Sequence, residues 1–346
     1  MDDIHIRKRG RIGQITLNRP KALNALTYGM CIEIEAALDL WVDDDDVAMI
    51  VINAHGDRAF CAGGDITEMY ASGMRGDFAF GRKFWRDEYR MNAKLANFPK
   101  PYVAFMQGFT MGGGVGVSCH GSHRIVCDTS QIAMPECGIG LVPDVGGSLL
   151  LAQAPGRLGE YLGSTGTRMN AGDAIYAGFA DYYIPEDQWP GLIKALAATG
   201  DWGAIDAAAQ PSPKGTLAAD RPEIDDLFAG ETLRDIHNNL CHAETGFARA
   251  ALKALHRNAP LSMAAAVEMT HRLRGAATIE TALELEYRFV SRSMESGDFL
   301  EGIRAAIIDK DRTPNWRHSD ITAVSAMDVA NMLMPMGDKK LKLGRN

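Results

Sequence analysis

Several common signatures are missing from this chain, and each absence removes a class of protein. No CxxC pair occurs among Cys31, Cys61, Cys119, Cys127, Cys137 and Cys241. Most of the six sit in apolar text, so a reduced, cytoplasmic setting is expected. His120 and His123 lie near Cys119 and Cys127, but the spacing fits no usual zinc pattern, and no metal is expected. There is no Walker loop and no complete G-x-G-x-x-G. Gly163-Ser164-Thr165-Gly166 misses a G-x-S-x-G elbow because Leu162 holds the first glycine's place. Positive charge is not in excess: 36 Lys and Arg face 44 Asp and Glu, for a net charge of −8. That argues against broad nucleic-acid binding and leaves room for a local phosphate-binding patch. No uncharged apolar run is long enough to span a bilayer. The acidic start Met1-Asp2-Asp3-Ile4 has no signal or transit character, so a soluble chain with no membrane partner is expected.

What the chain does have is ordinary bulk and an unusual run of glycines and acids. Its 346 residues, 46% hydrophobic and 23% charged, suit one large globular domain or two modest ones. Gly112-Gly113-Gly114 is followed by Pro135-Glu136 and then by Pro143-Asp144-Val145-Gly146-Gly147. Ala62-Gly63-Gly64-Asp65 supplies a second bare-backbone turn. Peptide N–H groups can approach a ligand only where side chains do not block them. Two such turns can aim donors at one oxygen as charge develops on it, while the carboxylates supply a base or nucleophile. Burial near Ile139, Leu141 and Val142 would make those acids better bases. The plainer alternatives are tight packing for the glycines, and a surface or capping role for the acids, Asp144 above all. Taken together, the constellation indicates an enzyme acting beside an acyl carbonyl.

The periodicity indicates an α/β chain. Residues 12–17 alternate as a strand, and Thr27 caps a helix with Met30, Ile34, Leu38 and Trp41 on one face. Short strands are expected at 47–52, 102–105, 124–127 and 131–134, with a helix over 112–120 and others near 145–153 and 171–179. Units of two strands and a helix can stack as a coil of turns. Gln210-Pro211-Ser212-Pro213-Lys214-Gly215 reads as a linker. Amphipathic helices follow over 246–256, 262–274, 279–296 and 298–308, and the tail Lys339-Lys340-Leu341-Lys342 is expected to fray.

Ala59-Phe60-Cys61-Ala62-Gly63-Gly64-Asp65 and Met111-Gly112-Gly113-Gly114 resemble the enoyl-CoA hydratase/isomerase (crotonase) superfamily. The longer stretches 108–116 and 133–147, with Glu286-Tyr287-Arg288 and 298–311, resemble its 3-hydroxyisobutyryl-CoA hydrolase branch. The likeness runs from about Ile12 to Trp316. It implies a crotonase-like spiral of ββα units with a helical C-terminal region. The division would be residues 1–185 as spiral core, carrying the oxyanion loops and acids, and 186–346 as a mainly helical region covering it. It further implies an acyl-CoA substrate, with coenzyme A part of that substrate and no separate cofactor, and the possibility of a homo-oligomer. By motif position, Gly64 and Gly113 would supply the oxyanion N–H groups, Glu136 the main catalytic carboxylate and Asp144 its partner. Glu88 would contact substrate. Lys21 and Leu23, with Ala62, Asp65 and Ile66, would hold the adenine and pantetheine portions.

One departure separates the branches. Enoyl-CoA hydratases usually carry a glutamate two residues past the glycine triplet, where this chain has Gly116. Hydration uses two carboxylates around one water, so the resemblance implies hydrolysis of a short, branched 3-hydroxyacyl-CoA, a step of valine degradation. The rival readings are an enoyl-CoA hydratase or isomerase and, from another class, a non-catalytic acyl-CoA-binding protein.

Overall fold

The computed structural model describes residues 2–344. Among these described residues nine strands form two sheets. The strands are β1 (Ile4–Arg9), β2 (Ile12–Leu17), β3 (Met49–Ala54), β4 (Ala59–Cys61), β5 (Tyr102–Met106), β6 (Phe109–Met111), β7 (His123–Val126), β8 (Gln131–Ala133) and β9 (Tyr182–Tyr183). The larger sheet runs β1-β2-β3-β5-β7-β9, the smaller β4-β6-β8. Only β1 and β2 pair antiparallel, across a two-residue turn opened by Gly10 at φ 55°. Every other pairing between these strands is parallel. Successive pairs β3/β4, β5/β6 and β7/β8 each place one strand in either sheet, which is the coil of turns expected. Parallel strands covered on both faces read as continuous apolar runs, and all five residues of β5 are buried.

These strands belong to one compact unit, made of the residues up to Asp65, Arg90–Ala133 and Arg168–Ala218. Its core joins Ile12, Val51, Val103, Phe105 and Ile125 to Leu192, Ile193 and Leu196 of the helix Trp189–Thr199. Those helical positions repeat at three and four residues, so they share one face. Thr27 caps the helix Tyr28–Trp41 by accepting from the Met30 N–H at 3.2 Å, and Met30, Ile34, Leu38 and Trp41 are all buried.

The second unit takes Ile66–Tyr89, Met134–Thr167 and the residues from Ala219 on, and is helical. Bare backbone lets its elements approach closely. A Cβ on Gly159 would lie 2.1 Å from the Leu151 carbonyl oxygen, and one on Gly302 would lie 2.1 Å from that of Ile139.

Several expectations change. The two units interleave along the chain, where a single division at 185/186 was expected, because residues distant in sequence pack together. The glycine-rich helix covers only Gly113–Gly116 before loosening into turns, since Gly114 and Gly116 hold a helix weakly. The strand β1 precedes the first one anticipated. The Pro-rich stretch 210–215 is docked against its own unit: a Cβ on Gly172 would meet the Pro213 oxygen at 2.1 Å, and the Leu217 N–H donates to Asp173 at 2.9 Å. In the tail, Leu341 is buried.

Candidate active site

Glu136 opens a 3-10 turn, Glu136–Ile139, directly after Pro135. Its side chain is buried, and among the described residues its Oε2 has no hydrogen-bond partner. Asp144 follows Pro143 and is equally buried. It does not cap the helix Gly147–Gln153, whose N-cap is Gly146 with no side-chain bond. Its Oδ2 instead accepts from the Tyr89 hydroxyl at 2.7 Å. Beyond Asp144 the backbone turns left-handed twice, at Val145 (φ 53°) and Gly146 (φ 81°). For a β-branched residue this is a costly conformation. Glu286 braces it from the helix Ile279–Ser296, accepting from the Gly146 N–H at 2.9 Å, the Ser148 N–H at 3.2 Å and the Ser148 hydroxyl.

The second unit thus gathers Glu88, Glu136, Asp144 and Glu286, all buried. Burial raises Glu136 well above the usual carboxylate range, and the charges of Asp144 and Glu286 raise it further. Burial and then Asp144 do the same to Glu88. Asp144 is pushed up to about 7 by burial, against the opposing pull of the Tyr89 hydroxyl. Glu286 is pushed up to about 8 by burial and Asp144, with Ser148 and Gly146 pulling it down. Like charges this close cannot all ionise at neutral pH, so the cluster shares its protons. A carboxylate whose affinity for protons lies near neutrality suits acid–base work.

The cluster predicts a pH dependence of stability. A carboxyl held higher in the folded state than in the unfolded chain stabilises the fold fully below about pH 4, near the ordinary value. That contribution is lost as pH rises through about 7 for Asp144. Asp144→Asn removes the penalty of burying the charge, which is on the order of 4 kcal/mol for a shift of this size. The variant should be more stable than the wild type in urea at pH 8 and show no such gain at pH 4.5. An equal effect at both values would contradict the assignment.

The glycine bends lie in the other unit, each beyond the end of one of two adjacent parallel strands, β4 and β6. Gly63 (φ 119°) and Gly112 (φ 49°, ψ −118°) hold backbone that L-residues avoid. The bends touch: a Cβ on Gly63 would lie 3.7 Å from the Met111 oxygen, and one on Gly114 would lie 2.3 Å from that of Cys61. Among the described residues, neither the Gly64 nor the Gly113 N–H donates to a backbone carbonyl. The loop 21–26 is tied to the first bend: Ala62 N–H donates to the Leu23 oxygen at 3.0 Å, Leu26 N–H to Gly63 at 2.9 Å, and Asp65 N–H to Leu26 at 2.7 Å. Lys21, exposed on that loop, and Leu23 are therefore gathered with Ala62 and Asp65, and Arg19 pairs with Asp65 at 3.0 Å. Ile66 falls in the other unit, at the N-cap of the helix Thr67–Gly73.

Sequence reasoning gave no role to Tyr89, Ser148 or Glu286. Glu286 had a usable signal. It stands three or four places from Ala282, Leu283, Phe289 and Val290, so it is a charge on an otherwise apolar helix face.

Over residues 12–333 the chain matches the enoyl-CoA hydratase/isomerase family, and it belongs to that family. It is 36% identical to the mitochondrial 3-hydroxyisobutyryl-CoA hydrolase of Rattus norvegicus, over 98% of this chain and 91% of that protein. To the Homo sapiens enzyme of the same name it is 34% identical, over 99% and 91%. Among solved structures, an enoyl-CoA hydratase from Rhodobacter sphaeroides 2.4.1 superposes with a TM-score of 0.95 at 56% identity, covering 99% of this chain and 100% of that one. A carnitinyl-CoA dehydratase from Mycobacterium thermoresistibile superposes at 0.94 with 40% identity and 99% coverage of both.

Proposed function

We propose that this protein hydrolyses a short, branched 3-hydroxyacyl-CoA thioester, with 3-hydroxyisobutyryl-CoA as the substrate that suits it best. The observation that carries the reading is Glu136, buried with one oxygen unpartnered and within the field of Asp144. The hydrolase names of the relatives support the same choice. In this reading the main-chain N–H groups of Gly64 and Gly113 receive the thioester oxygen as it gains charge. Glu136 then acts in one of two ways. Attack of its carboxylate on the carbonyl carbon breaks the C–S bond and gives a mixed anhydride, which water opens to the free acid. Alternatively, Glu136 takes a proton from water, whose oxygen attacks the same carbon. In both routes coenzyme A leaves as a thiolate and no metal or redox group enters the balance. Asp144 orients the substrate hydroxyl or relays the proton, Glu88 contacts the acyl part, and the loop at Lys21 and Leu23 with Ala62 and Asp65 holds the nucleotide arm. Six cysteines outside any disulfide support a reducing compartment, the cytoplasm in this proposal.

The names of the two solved structures favour a second reading, hydration or dehydration of an enoyl-CoA. Gly116 weighs against it, since it leaves the glycine helix without the acid that hydratases usually carry there. One assay separates the two. Purified protein should release one free thiol per 3-hydroxyisobutyryl-CoA consumed and leave crotonyl-CoA absorbance unchanged. Loss of that absorbance without thiol release would reverse the choice.

A further inference from the structure

The segment around Glu286 has no part in the chemistry above, yet Glu286 is fully buried and holds three donors. We propose that Glu286 is a positioning residue for Asp144, fixing the bend that aims its carboxyl; this rests on the thioester-hydrolase reading.

Both oxygens of Glu286 are engaged. Oε2 takes the Gly146 N–H, and Oε1 takes the N–H and hydroxyl of Ser148. The Ser148 hydroxyl can donate to a carboxylate or accept from a protonated carboxyl, so the grip holds in either state of Glu286. Locally the bend is closed by a turn bond from the Gly147 N–H to the Asp144 oxygen at 2.7 Å, but Val145 and Gly146 are left-handed and no side chain of the segment caps the helix Gly147–Gln153. Glu286, 140 positions away from Gly146, fills that place. The same helix also steadies the other side of Asp144. Tyr287, beside Glu286, packs edge-on against Tyr89 at 6.2 Å, and Tyr89 donates to Asp144. The groups sharing this field are Glu88 and Tyr89 on the helix Ala79–Ala96, Glu136 on its 3-10 turn, and Asp144 and Ser148 on the braced segment. A negative charge at Glu286 holds protons on Glu136, so removing it must make Glu136 ionise at lower pH.

Glu286→Gln keeps the shape, removes the charge and sets an amide N–H₂ against backbone donors. A misplacement of the carboxyl on the order of 1 Å costs about 100-fold in rate, so kcat for thiol release should fall by about that factor with KM within about threefold. The acidic limb of the kcat–pH profile should move down by roughly half a unit or more. Amide hydrogen exchange across residues 143–150, which needs no turnover, should quicken about tenfold or more as the bend loosens. Wild-type exchange together with an unmoved acidic limb would overturn the proposal. Ser148→Ala keeps the charge and removes one donor. It should lower kcat about five- to tenfold, the net cost of one ordinary hydrogen bond, and leave the limb in place. If Glu286→Gln fails to fold, Ser148→Ala with wild-type kcat and exchange overturns the proposal by itself. Should the wild-type protein release no thiol from any 3-hydroxyacyl-CoA, the hydrolase reading falls, and the exchange comparison still decides the role of Glu286.

Discussion

Glu136→Gln should lower thiol release from 3-hydroxyisobutyryl-CoA by about 10³- to 10⁴-fold, the range expected when the group that attacks or activates water is removed. That is about 4–5.5 kcal/mol of transition-state stabilisation. The amide has the shape of the acid but neither attacks the carbonyl carbon nor takes a proton. KM should change little, because the interaction lost is one made in the transition state. Nor should the fold suffer. Burial already opposes the charge on Glu136, and Oε2 has no partner to lose among the described residues. The variant should therefore melt no lower than the wild type at pH 8. Undiminished thiol release would end the role given to Glu136. A single turnover in ¹⁸O-water tests the anhydride route: label in the Glu136 carboxyl shows that water opened an anhydride at that carbon, whereas label in the product alone is shared by direct attack of water and by opening at the acyl carbon.

Local pattern made some parts of this molecule readable and long-range packing hid others. The alternation of residues 12–17 matches β2, and the apolar stripe after Thr27 matches the helix Tyr28–Trp41, because both depend only on neighbours within a few residues. The glycine bends and the pair Glu136 and Asp144 were visible because their residue types are unusual for the positions they hold. The brace at Glu286 was not, since it joins segments 140 positions apart. Nor was the bond from Tyr89 to Asp144, across 55 positions. The docking of 210–215 was missed for a related reason: proline and glycine mark irregular backbone, and irregular backbone can be packed as firmly as a helix. The interleaving of the two units likewise depends on which distant segments share a core, and no local period carries that information. The resemblance narrowed the chemistry, while the geometry assigns Asp144 a tyrosine partner and removes its capping role.

Gly114→Ala should be nearly as damaging as losing an acid, through the main chain alone. A Cβ at this position would lie 2.3 Å from the carbonyl oxygen of Cys61, 2.9 Å from its Cβ and 3.1 Å from its carbonyl carbon. The oxygen and carbonyl carbon are backbone at the end of β4, which pairs with β6, so no rotamer change relieves them. The added methyl must push the two bends apart by about an ångström, an overpacking that costs about 1–3 kcal/mol of stability. Gly113 is the neighbour of the substituted residue and Gly64 lies three positions past Cys61, so their N–H groups move with the bends. In the proposed chemistry each of those donors meets the developing oxyanion, and misaligning one costs roughly 10²- to 10³-fold in kcat. Overpacking elsewhere in the same unit separates the two effects. Gly13→Ala drives a Cβ to 2.4 Å from the Trp41 ring, on a strand that carries none of the assigned groups. It should lower the melting temperature and leave kcat per folded molecule unchanged, whereas Gly114→Ala should lower both. Equal kcat in the two variants, measured well below their melting temperatures, would mean that the bends at Gly64 and Gly113 do not receive the thioester oxygen.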